Sequence, residues 1–208
     1  RSQEPLWLSM RRGASCRGDD GAALVEFALA IPILALMFTG ILEFGSAYRV
    51  EDQIQHSLMS AGRVAGQQSN SRYADYETLR SISSTVSGVS KNATVKRVII
   101  FKAPSDGAVP ASCLAVTPTG SKAGVSGTCN VYNAAQVANL SLSNFSTPAA
   151  CAGTAWDSNW CPVNRQPQQD RIGVYVELDY TTLTKLLPLN FTLQDDAVYD
   201  IEPTPIGA

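Results

Sequence analysis

Between Ala22 and Leu42 the chain runs through twenty-one residues with a single ionisable group, Glu26. A helix needs about 20 residues to cross the hydrocarbon core of a bilayer, so this stretch is long enough to span one. The uncharged part alone, sixteen residues from Phe27 to Leu42, is marginal. Arg11, Arg12 and Arg17 crowd the N-terminal flank, and the first charge beyond the run is Glu43. That asymmetry predicts an N-terminus held in the cytoplasm and export of everything after Glu43. Pro32 lies mid-run, where a membrane helix tolerates proline better than an isolated water-exposed helix does.

A removable secretory signal has a basic front, an apolar centre of about 7–15 residues and a small-residue cleavage site. Here the centre is longer, and the one small-x-small candidate, Gly45-Ser46-Ala47, is followed by no helix break. Phe44, Ala47, Tyr48, Ile54, Leu58, Ala61 and Ala65 continue at three- and four-residue steps. The spacing predicts one long helix from Ala22 to Gln67, membrane-spanning over 22–42 and amphipathic over 43–67. Met10 opens a basic leader and is the expected start, which would place residues 1–9 upstream of the native chain.

The remainder, 68–208, reads as a small α+β head. Tyr76, Leu79, Ile82, Val86 and Val89 predict a second helix closed near Gly88, and the β-branched run over 93–103 predicts a strand ended by Pro104. Ile172, Val174, Val176, Leu178 and Tyr180 alternate along 172–182 as a second strand. Residues 197–203 suggest a third, entered by a charged turn at Asp195 and Asp196. The stretch 104–170 has no assignable pattern beyond Asp-Gly turn chemistry at Asp106 and Gly107; Trp156 and Trp160 there are either exposed contact residues or the packing of a small stapled loop.

Cys113, Cys129, Cys151 and Cys161 all follow the apolar run, an even number in loop-rich sequence, while Cys16 stands alone in the leader. Four cysteines allow three connectivities. Cys113–Cys129 and Cys151–Cys161 are favoured because each closes a short local loop, and a loop of about 15 residues is worth about 3 kcal/mol in the chain-entropy model. No CxxC spacing supports a zinc site, so no metal or cofactor is expected. His56 is the sole histidine and lies on the long helix, and no glycine-rich phosphate loop, H-E-x-x-H or G-x-S-x-G occurs, so no enzymatic activity is expected. A net charge of −2 with no basic face argues against a nucleic-acid partner.

A hydrophilic leader ending in Gly21, then Ala22-Ala23-Leu24-Val25-Glu26-Phe27, Pro32 and a trailing Glu43-Phe44-Gly45 resembles the TadE-like pseudopilins of the tight-adherence (Tad) type IV pilus class. The resemblance implies a long helix packed on a small antiparallel sheet, and a membrane prepilin peptidase that cuts after Gly21. Ala22 would become the first mature residue and Glu26 the fifth, with Phe27 sixth. A carboxylate deep in a membrane helix costs about 2.5–3.5 kcal/mol even on the forgiving insertion scale, unless it lies at headgroup depth, so Glu26 calls for a partner. The ammonium freed on Ala22, in the same or a neighbouring subunit, would supply one and so register helices during assembly. The implied partners are the prepilin peptidase, other pilins and pseudopilins, the membrane assembly platform and lipid. The implied location is the bacterial cytoplasmic membrane, with passage into a pilus at the cell surface and a role in adhesion. The competing expectation is a single-pass anchor for an exported domain that binds a ligand or acts as an unrecognised hydrolase.

Overall fold

The computed structural model describes residues 19–68, 70–89, 92–120, 122–145, 156–184 and 190–202. The leader up to residue 18, with Cys16, and Cys151 lie outside the described residues. The chain divides into two compact units, Arg1–Leu42 and Glu43–Ala208. Both contain part of one helix, α1 (Asp19–Gln68), which runs unbroken through Pro32. It begins three residues before the predicted start, because Asp19 and Asp20 extend its first turn.

The second unit, the head, is α+β as expected. Its five-stranded antiparallel sheet has the order β2-β3-β1-β4-β5, from β1 (Ala93–Lys102), β2 (Ala123–Val125), β3 (Cys129–Asn133), β4 (Arg171–Thr181) and β5 (Asn190–Asp200). α2 (Ala74–Val89), α3 (Ala111–Leu114) and α4 (Ala134–Ala138) complete it. Both faces of the sheet are buried over 98–101 of β1 and 172–178 of β4. On one face Val98 and Ile100 of β1 join the predicted β4 stripe from Ile172 to Tyr180 and meet α1 and α2. On the other, Ile99, Phe101, Val131 and Tyr175 form a second cluster with Cys113 and Cys129.

The layer over this second cluster and the strand β3 beneath it come from 104–133, within the 104–170 stretch in which the sequence shows no pattern. Two strands of three and five residues and a four-residue helix are too short to display periodicity. The Cys113–Cys129 disulfide staples the layer to β3, the pairing favoured from sequence. Cys161 is also disulfide-bonded. Gly173 of β4 lies under the Phe101 ring, where a Cβ would overlap the ring carbons.

Two sequence expectations need correction. The buried face of α1 in the head is Val50, Ile54, Leu58, Ala61 and Ala65, whereas Phe44 and Tyr48 point to solvent. They stand roughly a quarter-turn off the stripe, near enough for a three-or-four count to include them. Asp195 and Asp196 lie inside β5 rather than in a turn before it, paired with Val176 and Tyr175 of β4. β5 is an edge strand, and edge positions accept carboxylates. It begins at Asn190, seven residues before the predicted third strand, and near its end Tyr199 and Asp200 close on Gly62 and Gly66 of α1.

A buried polar network anchors the 156–165 loop. Asp75 of α2 accepts from Arg165 Nη2 at 2.7 Å, with both side chains fully buried. Asn130 Nδ2 and the Tyr132 hydroxyl, both on β3, each donate to the other Asp75 oxygen at 2.8 Å. Asn130 also binds the Trp160 backbone in both directions, at 2.9 and 2.8 Å. The Arg165 guanidinium stands 4.0 Å over the Trp160 ring. Trp160 is thus packed, which settles the choice left open at that residue.

Asp157, only 1% exposed, has one carboxylate oxygen without a hydrogen-bond partner among the described residues. Burial, reinforced by the Asp75 charge, raises its carboxyl to about 7. The folded state therefore holds a proton that the unfolded state has released, and stability falls as pH rises from the ordinary value of 3.8 to about 7. Asp157→Asn is expected to flatten this part of the profile and to raise the melting temperature above wild type at pH 7.5, measured by thermal unfolding across pH 4–8.

Candidate functional site on the N-terminal helix

Helical geometry places Ala22 and Glu26 one turn apart on the same face of α1, where side chains are about 5–6 Å from each other. Gly21, Ala22, Glu26 and Phe27 are all exposed, and a Cβ at Gly21 would meet nothing within 4 Å. The exposure continues through Leu42 except at half-buried Thr39 and Gly40, so the apolar surface of 22–42 is largely uncovered among the described residues. One helix of this length and composition can cross a membrane, and it satisfies its own backbone groups as it does so. Thr39 conforms, its hydroxyl donating to the Ala35 carbonyl at 2.8 Å.

Glu43, the first charge after the run, has a role that spacing did not reveal. Though mid-helix, it is buried, and it accepts hydrogen bonds from the Leu183 and Thr184 amides at 2.8 and 2.6 Å. The Thr184 hydroxyl adds a third at 2.6 Å and, with those amides, holds the Glu43 carboxyl below its ordinary range. One turn on, the Ser46 and Tyr180 hydroxyls meet at 2.5 Å. The carboxylate thus closes the exit from β4 onto the start of the head's helix. The available clue was the trailing Glu43-Phe44-Gly45, in which a carboxylate directly follows an apolar run.

The other singled-out residues do not gather into a site. His56 is exposed and has Asp52 one turn before it at 3.8 Å. Asp195 and Asp196 lie on β5, and Cys113 and Cys129 are consumed by their disulfide. Among the described residues no three His, Cys, Asp or Glu side chains cluster as metal ligands.

Removing the Glu43 carboxylate would leave two amides without an acceptor. Glu43→Ala is expected to speed hydrogen exchange at Leu183 and Thr184 by about tenfold or more, with Glu43→Gln intermediate because one oxygen survives. Hydrogen exchange read by mass spectrometry over 180–184 measures this. Since the carboxyl is depressed in the folded state, the wild-type protection is lost as pH falls through the carboxylate range.

Comparison with known proteins bears on this same helix. Residues 21–63 match the model of the TadE-like protein family, from the glycine of the expected cut to the last turns of α1. No curated protein and no solved structure matches the chain. Over residues 21–63, from Gly21 through the apolar run and Glu43 to Arg63, the chain is similar to the TadE-like proteins.

Proposed function

We propose that the protein is a minor pilin or pseudopilin of a Tad-type pilus, cut by a prepilin peptidase after Gly21 and active in initiating or assembling the filament. The observation that carries this reading is the family match that starts at Gly21 and contains Glu26 at the fifth position after it. The uncovered apolar surface of 22–42 supports it, because such a surface needs lipid or neighbouring helices around it. The chain sits in the cytoplasmic membrane with its leader inside and its head outside, and contacts other pilins and the assembly platform through the helix. Phe44 and Tyr48 fit the outer interface, where aromatic side chains are favoured. The head of Glu43–Ala208 is large for a bulk subunit and suits a tip or initiation role in surface adhesion. The role proposed is non-enzymatic; the sole histidine, His56, is exposed on the long helix beside Asp52.

The test is the N-terminal residue of the mature protein, read by mass spectrometry of membranes with and without the prepilin peptidase. A start at Ala22 that disappears without the peptidase is the expected outcome; an uncut leader in both strains, or a start beyond Ala47, overturns the reading. Glu26→Ala is further expected to abolish piliation at unchanged protein level, whereas a domain that is only anchored would be indifferent to it.

A further inference from the structure

The exit from β4 is fastened to the residue at which the apolar run ends. The Leu183 and Thr184 amides both bind the Glu43 carboxylate, and Glu43 is joined by one peptide bond to Leu42. Leu183, 140 residues beyond Glu43 in sequence, is thereby held at the level where the run gives way to the head. Its side chain is 56% exposed, and that of Phe44, next to Glu43, is 68% exposed. We propose that this end of the head dips into the outer surface of the membrane, with Leu183 and Phe44 immersed among headgroups and upper acyl chains. The inference rests on the reading of 22–42 as a membrane span and adds a second lipid contact to it, made by the head itself.

A lone exposed leucine carries no message, since folded surfaces hold many apolar atoms. The surroundings of Leu183 give it one. Residues 181–194 hold a single charge, Lys185, whereas Asp179 precedes them and Asp195 and Asp196 follow. The five residues between Thr184 and Asn190, outside the described ones, supply that lysine and three further leucines. Leucine is favoured in hydrocarbon, and lysine is the kind of charge that phosphate headgroups accept.

The polar groups at this end are already met. Glu43 is only 4% exposed beneath its three hydrogen bonds. The Thr181 amide and hydroxyl both donate to the Asn92 carbonyl, at 2.9 and 3.1 Å. Bare donors and anions are costly where water is scarce, and these are covered. Lipid also suits the surface better than a second copy of the chain. Two exposed side chains cover far less than the roughly 800 Å² per partner that a stable interface buries, and the membrane surface asks for no matching shape.

β4 and β5 pair from Arg171 and Asp200 at one end to Thr181 and Asn190 at the other. Eleven residues per strand put the two ends roughly 35 Å apart, so Asp200 serves as a control far from the proposed contact. The full chain, with Cys16→Ser and the head's disulfides left oxidised, is reconstituted in vesicles of phosphatidylethanolamine and phosphatidylglycerol. It carries one nitroxide at a time, on Leu183→Cys, Asn190→Cys, Asp200→Cys or Leu36→Cys. Collisions with oxygen, which concentrates in lipid, and with a water-soluble nickel chelate report the depth of each label. The expected ratio of oxygen to nickel collisions is highest at 36, several-fold higher at 183 than at 200, and intermediate at 190. The label at 183 replaces an exposed side chain and spares the backbone amide that Glu43 binds, and exposed Asn190 gives a second reading from the same end. A ratio at 183 and 190 no higher than at 200, with a lipid-type ratio at 36, overturns the proposal and leaves the membrane span standing. A water-type ratio at 36 as well overturns both. Shielding of 183 from both reagents means that protein covers it, a second copy or another chain, and overturns the assignment to lipid.

Discussion

A helix is the one element whose backbone satisfies itself in hydrocarbon and in water alike, and α1 depends on that property. Its ladder continues from Asp19 to Gln68 while its side chains change from uncovered apolar groups to a narrow stripe packed on a sheet. The change comes at Glu43. A carboxylate there has to be hydrated or bonded, and the amides after β4 bond it at the first turn of the head. From that point the stripe Val50, Ile54, Leu58, Ala61 and Ala65 is committed to the sheet, and the central position of β1 and β4 follows from the apolar surface this stripe needs to meet.

Much of this was legible in the sequence. Strong periodicity over long segments located α1, α2, β1 and β4, and the resemblance at Gly21–Gly45 agrees with the family match. What escaped was of three kinds. Elements of three to five residues, such as β2, β3 and α4, are shorter than any period that could announce them. β5 alternates through polar residues, since an edge strand is not obliged to be apolar, and so its acidic pair resembled a turn. Glu43, Asp75 and Arg165 act through partners up to 141 residues away, and spacing along a chain carries no information about such meetings.

The 156–165 loop shows how a region poor in secondary structure acquires definition. Its residues do not repeat any regular backbone pattern beyond one short 3-10 turn, yet Asn130 and Arg165, both bonded to Asp75, fix the Trp160 backbone and ring. A buried ion pair contributes little net stability against an apolar substitute, but breaking one partner is severe, so the network specifies a conformation more than it strengthens the fold. The disulfide Cys113–Cys129 does the equivalent for the layer over the second sheet face. One device is covalent and the other electrostatic, and between them they hold the parts of the head that periodic packing leaves undefined.

The closure of β5 on Gly62 and Gly66 has a consequence for how the molecule is made. Synthesis delivers α1 first and its sheet partners last: Tyr180 follows Ser46 by 134 residues, and Thr184 follows Glu43 by 141. Contacts that distant close slowly, because the loop entropy is lost before the contact repays it. Until the final strand arrives, the surface of α1 around Gly62 and Gly66 lacks the cover that Tyr199 and Asp200 give it. The nascent head passes through a period in which its stickiest surface is bare, and its yield is set by how quickly the C-terminal strand covers that surface before another chain does.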